Sequence, residues 1–147
     1  MQNFKRMALF LAGTALAITP YIAKAETIKI GVSQPLTGAV AASGNYVVQG
    51  AKIAESFLND SGGLLGKQVE LIIEDNKSNP KEAVATAEKL IVRDKVQVMM
   101  GAWSSTYTLA VMPKLMEYGI PMVVETSSSG KITTSGNPWI FRISPTS

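Results

Sequence analysis

The sequence predicts an α/β fold built on a doubly wound parallel sheet, and three observations lead there. Short runs rich in β-branched and apolar residues alternate with longer segments of helical period. The short runs lack clean polar alternation, as expected of strands covered on both faces. Their order is βαβαβαβ followed by one more strand, which implies parallel pairing through right-handed crossovers.

The elements follow in order. "TIKIGVS" (27–33) is strand one, and the Pro- and Gly-marked "QPLTGAVAASG" (34–44) is a loop. "NYVVQGAKIAESFLNDSGG" (45–63) is helix one, with Asn45 as cap, Val47, Ala51, Ala54 and Leu58 as buried face, and Gly62-Gly63 as stop. "KQVELIIEDN" (67–76) is strand two. "SNPKEAVATAEKLIVRDK" (78–95) is helix two, with Pro80 and Glu82 in its first turn and Ala83, Ala87, Leu90 and Ile91 turned inward. "VQVMMGA" (96–102) is strand three. "SSTYTLAVMPKLMEYG" (104–119) is helix three, bent or restarted near Pro113. "IPMVVE" (120–125), a polar loop "TSSSGKITTSGNP" (126–138) and "WIFRIS" (139–144) complete the order, with Trp139 and Phe141 expected in the core.

The first 25 residues form a separate unit. Lys5 and Arg6 precede an apolar stretch from Met7 to Ile18, and "AKA" closes it with small residues. That is the layout of a secretory signal peptide, with cleavage expected after Ala25. The stretch is short of the ~20 residues that a membrane span needs. The mature domain is then expected to be 26–147, exported from the cytoplasm.

The charge balance changes once that segment is set aside. The chain has 14 Lys+Arg against 11 Asp+Glu, but Lys5, Arg6 and Lys24 all lie in the first 25 residues. The remainder carries eleven of each sign. No basic face is left to suggest nucleic acid as a partner. Cys and His are both absent. The domain must therefore stand on its core, without disulfides, and most zinc sites and all Ser-His or Cys-His nucleophiles are removed. No cofactor is expected.

In an open parallel sheet, ligands bind beyond the carboxyl ends of the strands. Three hydroxyl-rich loops fall there, after strands one, three and four, and hold Ser43, Ser104, Ser105, Thr126, Ser127 and Ser128. Hydroxyls donate and accept, and the free N–H groups at the start of helix three favour an anion. Together they can hold a carboxylate without a cation. Ser104 or Ser105 can equally serve as a helix cap, and "TSSSG" as an ordinary loop. Ser128 and Lys131 match a bare S-x-x-K spacing, but in a loop and not at a helix start. Neither a dinucleotide nor a triphosphate fingerprint occurs. Glu74-Asp75 reads as strand-end charge, and Asn76-Lys77-Ser78 matches a glycosylation triplet.

"IKIGVSQPLTGAVAASGNYVVQGAKIAESFLNDSGGLLGKQVELIIEDNKSNPKEAVATAEKLI", then "GAWSSTYTLAVMP" and "GNPWIFRISPTS", resemble type I periplasmic substrate-binding proteins of ABC importers, of the leucine/isoleucine/valine type. The resemblance implies two α/β lobes that close on a small solute, often an amino acid, and pass it to membrane permease subunits. It implies a binding protein and not an enzyme, a monomer, and a place in the periplasm. It places Ser105 at the carboxylate, with Ser104 as cap beside it. Thr126, Ser127 and Ser128 take the positions that grip ammonium and carboxylate, and Ser43 a position over the ligand where some members carry a bulky aromatic residue. Trp103 and Glu125 depart from the commonest residues at their places. Family members are longer, so 26–147 is expected to be the first lobe alone, without the acidic residue of the second lobe that answers the ammonium. A sensor ectodomain of the same fold and a secreted α/β hydrolase are the alternatives.

Overall fold

The computed structural model describes residues 26–147. The signal peptide expected over 1–25 lies outside the described residues. Five parallel strands form one sheet in the order β2-β1-β3-β4-β5: β1 Ile28–Gln34, β2 Val69–Asp75, β3 Val98–Gly101, β4 Met122–Val124 and β5 Ile140–Arg142. Helices α1 (Ala41–Asp60), α2 (Pro80–Glu88), α3 (Ser105–Tyr118) and a single turn α4 (Lys131–Thr134) connect them. The winding runs outward from β1 to β2, then back across β1 to β3. With crossovers of one hand, that reversal puts α1 on one face and α2 and α3 on the other. No described helix is long and apolar enough to cross a membrane.

The main core lies on the α2/α3 face. Ala83, Ala87 and Leu90 from the second connection meet Met99, Met122 and Val124 of the sheet and Val111 and Leu115 of α3, all fully buried. The stripe expected on helix two is thus in place. Asn79 caps it by accepting the N–H groups of Lys81 and Glu82, and Pro80 takes the first position, where its missing N–H costs nothing. The closing turn, Lys89–Arg93, widens to a π-helix, and both Leu90 and Ile91 reach the core across it.

Several boundaries differ from expectation. α1 begins at Ala41, not after Asn45. Asn45 is no cap: its Nδ2 donates to the carbonyls of Leu36 and Ala41. The buried face is accordingly Gly44, Val48 and Ala51, while Ala54 is exposed. α3 runs through Pro113 without a restart. The polar loop after β4 contains α4, formed because Ile132 is drawn fully into the core.

α1 also guards an edge. β2 is an outer strand, and open N–H and C=O groups there invite pairing with other chains. Asn59 of α1 takes both the N–H and the carbonyl of Val69, at 2.7 and 2.9 Å, and Glu55 accepts the N–H of Leu71 at 2.8 Å.

The α1 face is covered only in part. α1 packs on β1 and β2. Over β3 to β5, no described helix lies on that side, and Ile30, Val98, Met100 and Val123 line an open apolar basin with Ile143. Phe141 is on this side and is 55% exposed, so it is not the core residue expected; Ile140, one step along the strand, points into the core instead. Trp139 does pack against the core. Replacing Leu115 with Ala should therefore cost about 2–5 kcal/mol in urea unfolding, and Phe141→Ala about 1 kcal/mol or less. Equal losses would show that the β5 outer face is covered.

Candidate functional site

The winding reverses between β1 and β3, so the loops leaving their carboxyl ends part to opposite faces and open a crevice. The β3 loop is fixed by contacts that only its own residues allow. Gly101 has φ +142°, and a Cβ there would stand 2.3 Å from the carbonyl oxygen of Ser33. Trp103 adopts φ +69°, a strained region for a side-chain-bearing residue. Ser127 Oγ holds it there by donating to its carbonyl at 3.0 Å. Ser127 and Thr108 hydroxyls lie 2.8 Å apart. Since the Ser127 proton goes to Trp103, Thr108 is the donor to Ser127, and Thr108 Oγ1 accepts the Ala102 N–H at 3.3 Å. Asn76, fully buried, adds a long contact of 3.5 Å from its Nδ2 to the Ala102 carbonyl.

The two serines of the β3 loop divide their tasks. Ser104 is the N-cap of α3, with extended backbone and a hydroxyl that accepts the Thr106 N–H at 3.3 Å. Ser105 opens the helix, and its hydroxyl accepts the N–H of Ser129 at 3.1 Å. That bond ties the β3 and β4 loops together. It also leaves the Ser105 hydroxyl proton available to an outside acceptor.

The β4 loop is braced from the far side. Arg142 donates to the Ser129 carbonyl at 2.8 Å and to Thr133 Oγ1 at 3.2 Å, and Ser144 Oγ donates to the Ser127 carbonyl at 3.2 Å. Ser128 Oγ donates to Ser147 Oγ at 3.1 Å. Thr126 is exposed, and Ser127 is buried at 2% exposure. Among the described residues, no protein acceptor takes the N–H groups of Ser105, Ser127 or Ser128.

The structure thus brings Ser104, Ser105, Ser127 and Ser128 together with Thr126 across the β3 and β4 loops. Ser43 comes from another element: it stands half-buried in the first turn of α1, and its N–H donates to the Val40 carbonyl at 3.1 Å. Ser127 is spent on Thr108 and Trp103, so its hydroxyl shapes the loop, while its backbone N–H stays free. The Ser128 hydroxyl has Ser147 and not Lys131 as its partner. Asn76 of the glycosylation triplet is inside the protein.

Residues without a sequence motif complete the site. Gln34 ends β1 fully buried and donates from Nε2 to Glu125 Oε1 at 2.7 Å. The other oxygens of the pair, Gln34 Oε1 and Glu125 Oε2, have no partner among the described residues. Burial pushes the Glu125 carboxyl above the ordinary range, against the lowering effect of the Gln34 bond. Thr108, Asn76, Arg142 and Ser144 also belong here. Only their distance in sequence hid them, since each acts on a loop at least six residues away. No group of three or more metal-ligating side chains occurs among the described residues.

The chain is similar to known proteins in sequence and in fold. The sequence matches the periplasmic binding protein family over residues 27–147. The leucine-, isoleucine-, valine-, threonine- and alanine-binding protein of Pseudomonas aeruginosa is 34% identical over 139 residues, which cover 94% of this chain and 37% of that protein. The chain therefore spans about a third of the length of such relatives. Among solved structures, the branched-chain amino acid binding protein LivJ of Streptococcus pneumoniae, in complex with isoleucine, superposes with a TM-score of 0.79 at 30% identity, over 82% of this chain and 34% of that one. A solute-binding protein of R. palustris, in complex with 4-hydroxybenzoate, gives 0.73 at 34% identity, over 82% and 32%. The chain belongs to the periplasmic binding protein family.

Proposed function

We propose that residues 26–147 are the first lobe of an extracytoplasmic solute-binding component of an ABC importer, and that they fix the carboxylate of an amino acid. The observation that carries this reading is the junction of the β3 and β4 loops. Ser105 offers a hydroxyl proton, and the N–H groups of Ser105, Ser127 and Ser128 lie within the same two loops. The positive end of the α3 dipole adds to them. Charge-assisted bonds from such donors hold an anion without a lysine or arginine. The chain arrives through a cleaved leader and works in the periplasm, as a monomer that docks on permease subunits. Its role is to bind and deliver, with no bond made or broken.

The crevice suits an anion for a second reason. Burial keeps the Glu125 carboxyl neutral over a wider pH range than usual. A neutral acid beside the site repels a bound carboxylate less than an ionised one.

A second reading concerns the rest of the ligand. Ser43 is small, and the R. palustris relative was solved with an aromatic carboxylate. An aromatic acid shares the carboxylate and would fill the space that a bulky residue at 43 takes up, so the ligand class extends from branched-chain amino acids to hydroxybenzoates.

Three outcomes check these statements. In a protein that carries both lobes, Ser105→Ala should weaken isoleucine binding by about 1–3 kcal/mol in calorimetry, while Lys131→Ala leaves it unchanged; the reverse pattern would point to chemistry at Lys131. Residues 26–147 alone should bind amino acids weakly or not at all, because half a clamp leaves the ligand in water, and micromolar affinity there would refute the need for a second lobe. The Glu125 carboxyl binds its proton more tightly folded than unfolded, so its contribution favours the fold at low pH and is lost as pH rises through its raised pKa. Denaturation of Glu125→Gln should lack that decline, and an unchanged pH profile would mean that the carboxyl ionises as it does in water.

A further inference from the structure

The loop after β2 offers no donor to the carboxylate, although its Asn76 braces the β3 loop, and it is joined to the β1 loop by a set of hydrogen bonds. Asp75 Oδ1 accepts the N–H groups of Leu36 at 2.9 Å, Thr37 at 3.2 Å and Lys77 at 2.7 Å, and Oδ2 accepts the Thr37 hydroxyl at 2.6 Å. Ser78 Oγ donates to the Thr37 carbonyl at 2.8 Å and accepts the Val40 N–H at 3.3 Å. The Asn76 N–H donates to the Gln34 carbonyl at 3.0 Å. Val40 is the N-cap of α1 and makes no side-chain cap of its own. Ser78, from another loop, accepts the N–H of Val40 itself and so holds the N-cap residue in place.

The join is strained on one side and tight on the other. Lys77 and Ser78 both adopt left-handed backbone, at φ +53° and +54°, which costs energy in residues with a Cβ. Gly38 faces them at φ +86°, and a Cβ there would fall 2.8 Å from Ser78 Oγ and 2.9 Å from the Lys77 carbonyl. The strain has a consistent purpose: it delivers Ser78 to Thr37 and Val40. Three residues after Val40 stands Ser43.

We infer that Asp75 and Ser78 are positioning residues of the ligand site: they set the start of α1, and so the place of Ser43, from a loop that does not touch the ligand. The inference rests on the carboxylate site proposed above. It adds an acid sensitivity. Burial raises the affinity of Asp75 for a proton, but the bonds from Thr37, Lys77 and Leu36 outweigh it and hold the carboxyl below its ordinary range. The join is therefore complete at neutral pH and is lost as pH falls through that lowered value. No other ionisable group competes there. Lys77 turns to Glu82 at 3.2 Å, Glu74 points to Lys89 on the opposite face, Lys81 lies on α2, and neither the β1 loop nor the first turn of α1 holds a charge.

The test uses amide NMR of the whole chain together with calorimetry of a two-lobed protein that carries the same substitutions. The Leu36, Thr37 and Lys77 amides should shift with pH in one transition below the ordinary Asp range, and Asp75→Asn should abolish it. Asp75→Asn and Ser78→Ala should each speed amide exchange in the first turn of α1 and weaken isoleucine binding about tenfold at unchanged folded fraction. Either one combined with Ser43→Ala should lose less than the sum, as expected of residues that act through one another. Amides that do not titrate, or full additivity with Ser43→Ala, would overturn the inference. Failure of the two-lobed protein to bind any amino acid would instead count against the ligand reading, and the amide transition would still decide whether the join exists.

Discussion

The reversal of winding at β1 is the constraint on which the other features depend. β1 is paired on both sides, by β2 over its full length and by β3 over Ile30–Ser33. Its loop must turn to one face and the β3 loop to the other, so their backbone polar groups separate at the sheet edge. Groups that separate there cannot satisfy each other directly, and buried polar groups left alone are costly. The protein answers with side chains that bridge the gap: Ser33 to Thr86 at 2.9 Å beneath the crevice, Asn76 to Ala102 across it, and Thr108 with Ser127 beside it. Each bridge joins elements distant in sequence. The crevice is a by-product of topology, and the bridges make it rigid.

Rigidity of this kind would let the proposed carboxylate site do without a cation. A lysine or arginine attracts an anion from many geometries, whereas hydroxyls and amides are effective only when already aimed. Here the aim is supplied in layers. Ser104 caps α3, Ser105 holds Ser129, Arg142 holds the far side of the same loop, and Ser144 holds Ser127. Arg142 is thus a cation in service of the loop, engaged with a carbonyl and a hydroxyl. An anion bound by neutral donors is also easier to give up than one in an ion pair, which suits the binding and delivery proposed above.

Much of this was legible in the sequence, for reasons that differ by element. Strand order and the stripe of helix two follow from periodicity, which burial enforces over many residues, so Ala83, Ala87, Leu90 and Ile91 all lie where the pattern put them. The start of α1 was not legible, because its N-cap residue has no capping side chain and is held instead by Ser78, 38 residues beyond Val40. With no local signal, Asn45 looked like the cap, and Val47 and Ala54 were read into the buried face where Gly44 and Val48 belong. Phe141 misled in another way. Alternation along β5 told only that Ile140 and Phe141 face opposite sides, and which side is covered is a property of the whole sheet. The hydroxyl cluster was legible as a cluster, and Ser104 as the cap of α3; the bond from Ser127 to Trp103 and the one from Ser129 to Ser105 were not, since they join loops more than twenty residues apart.

Glu125 sits where the β4 loop meets the apolar basin. Its backbone leads directly into the β4 loop and the carboxylate site, while its side chain lies with Met100, Val123 and Ile143 at the rim of the apolar basin. Gln34 reaches it from β1, and each of the two keeps one oxygen without a partner. A carboxyl in that position answers to both sides at once. Whatever raises or lowers the polarity of the basin changes the cost of ionising Glu125, and its charge in turn acts on an anion held a few residues away. On the carboxylate reading proposed above, covering the β3–β5 face would bury Glu125 further and keep it neutral, so that the acid repels an anion in the crevice less.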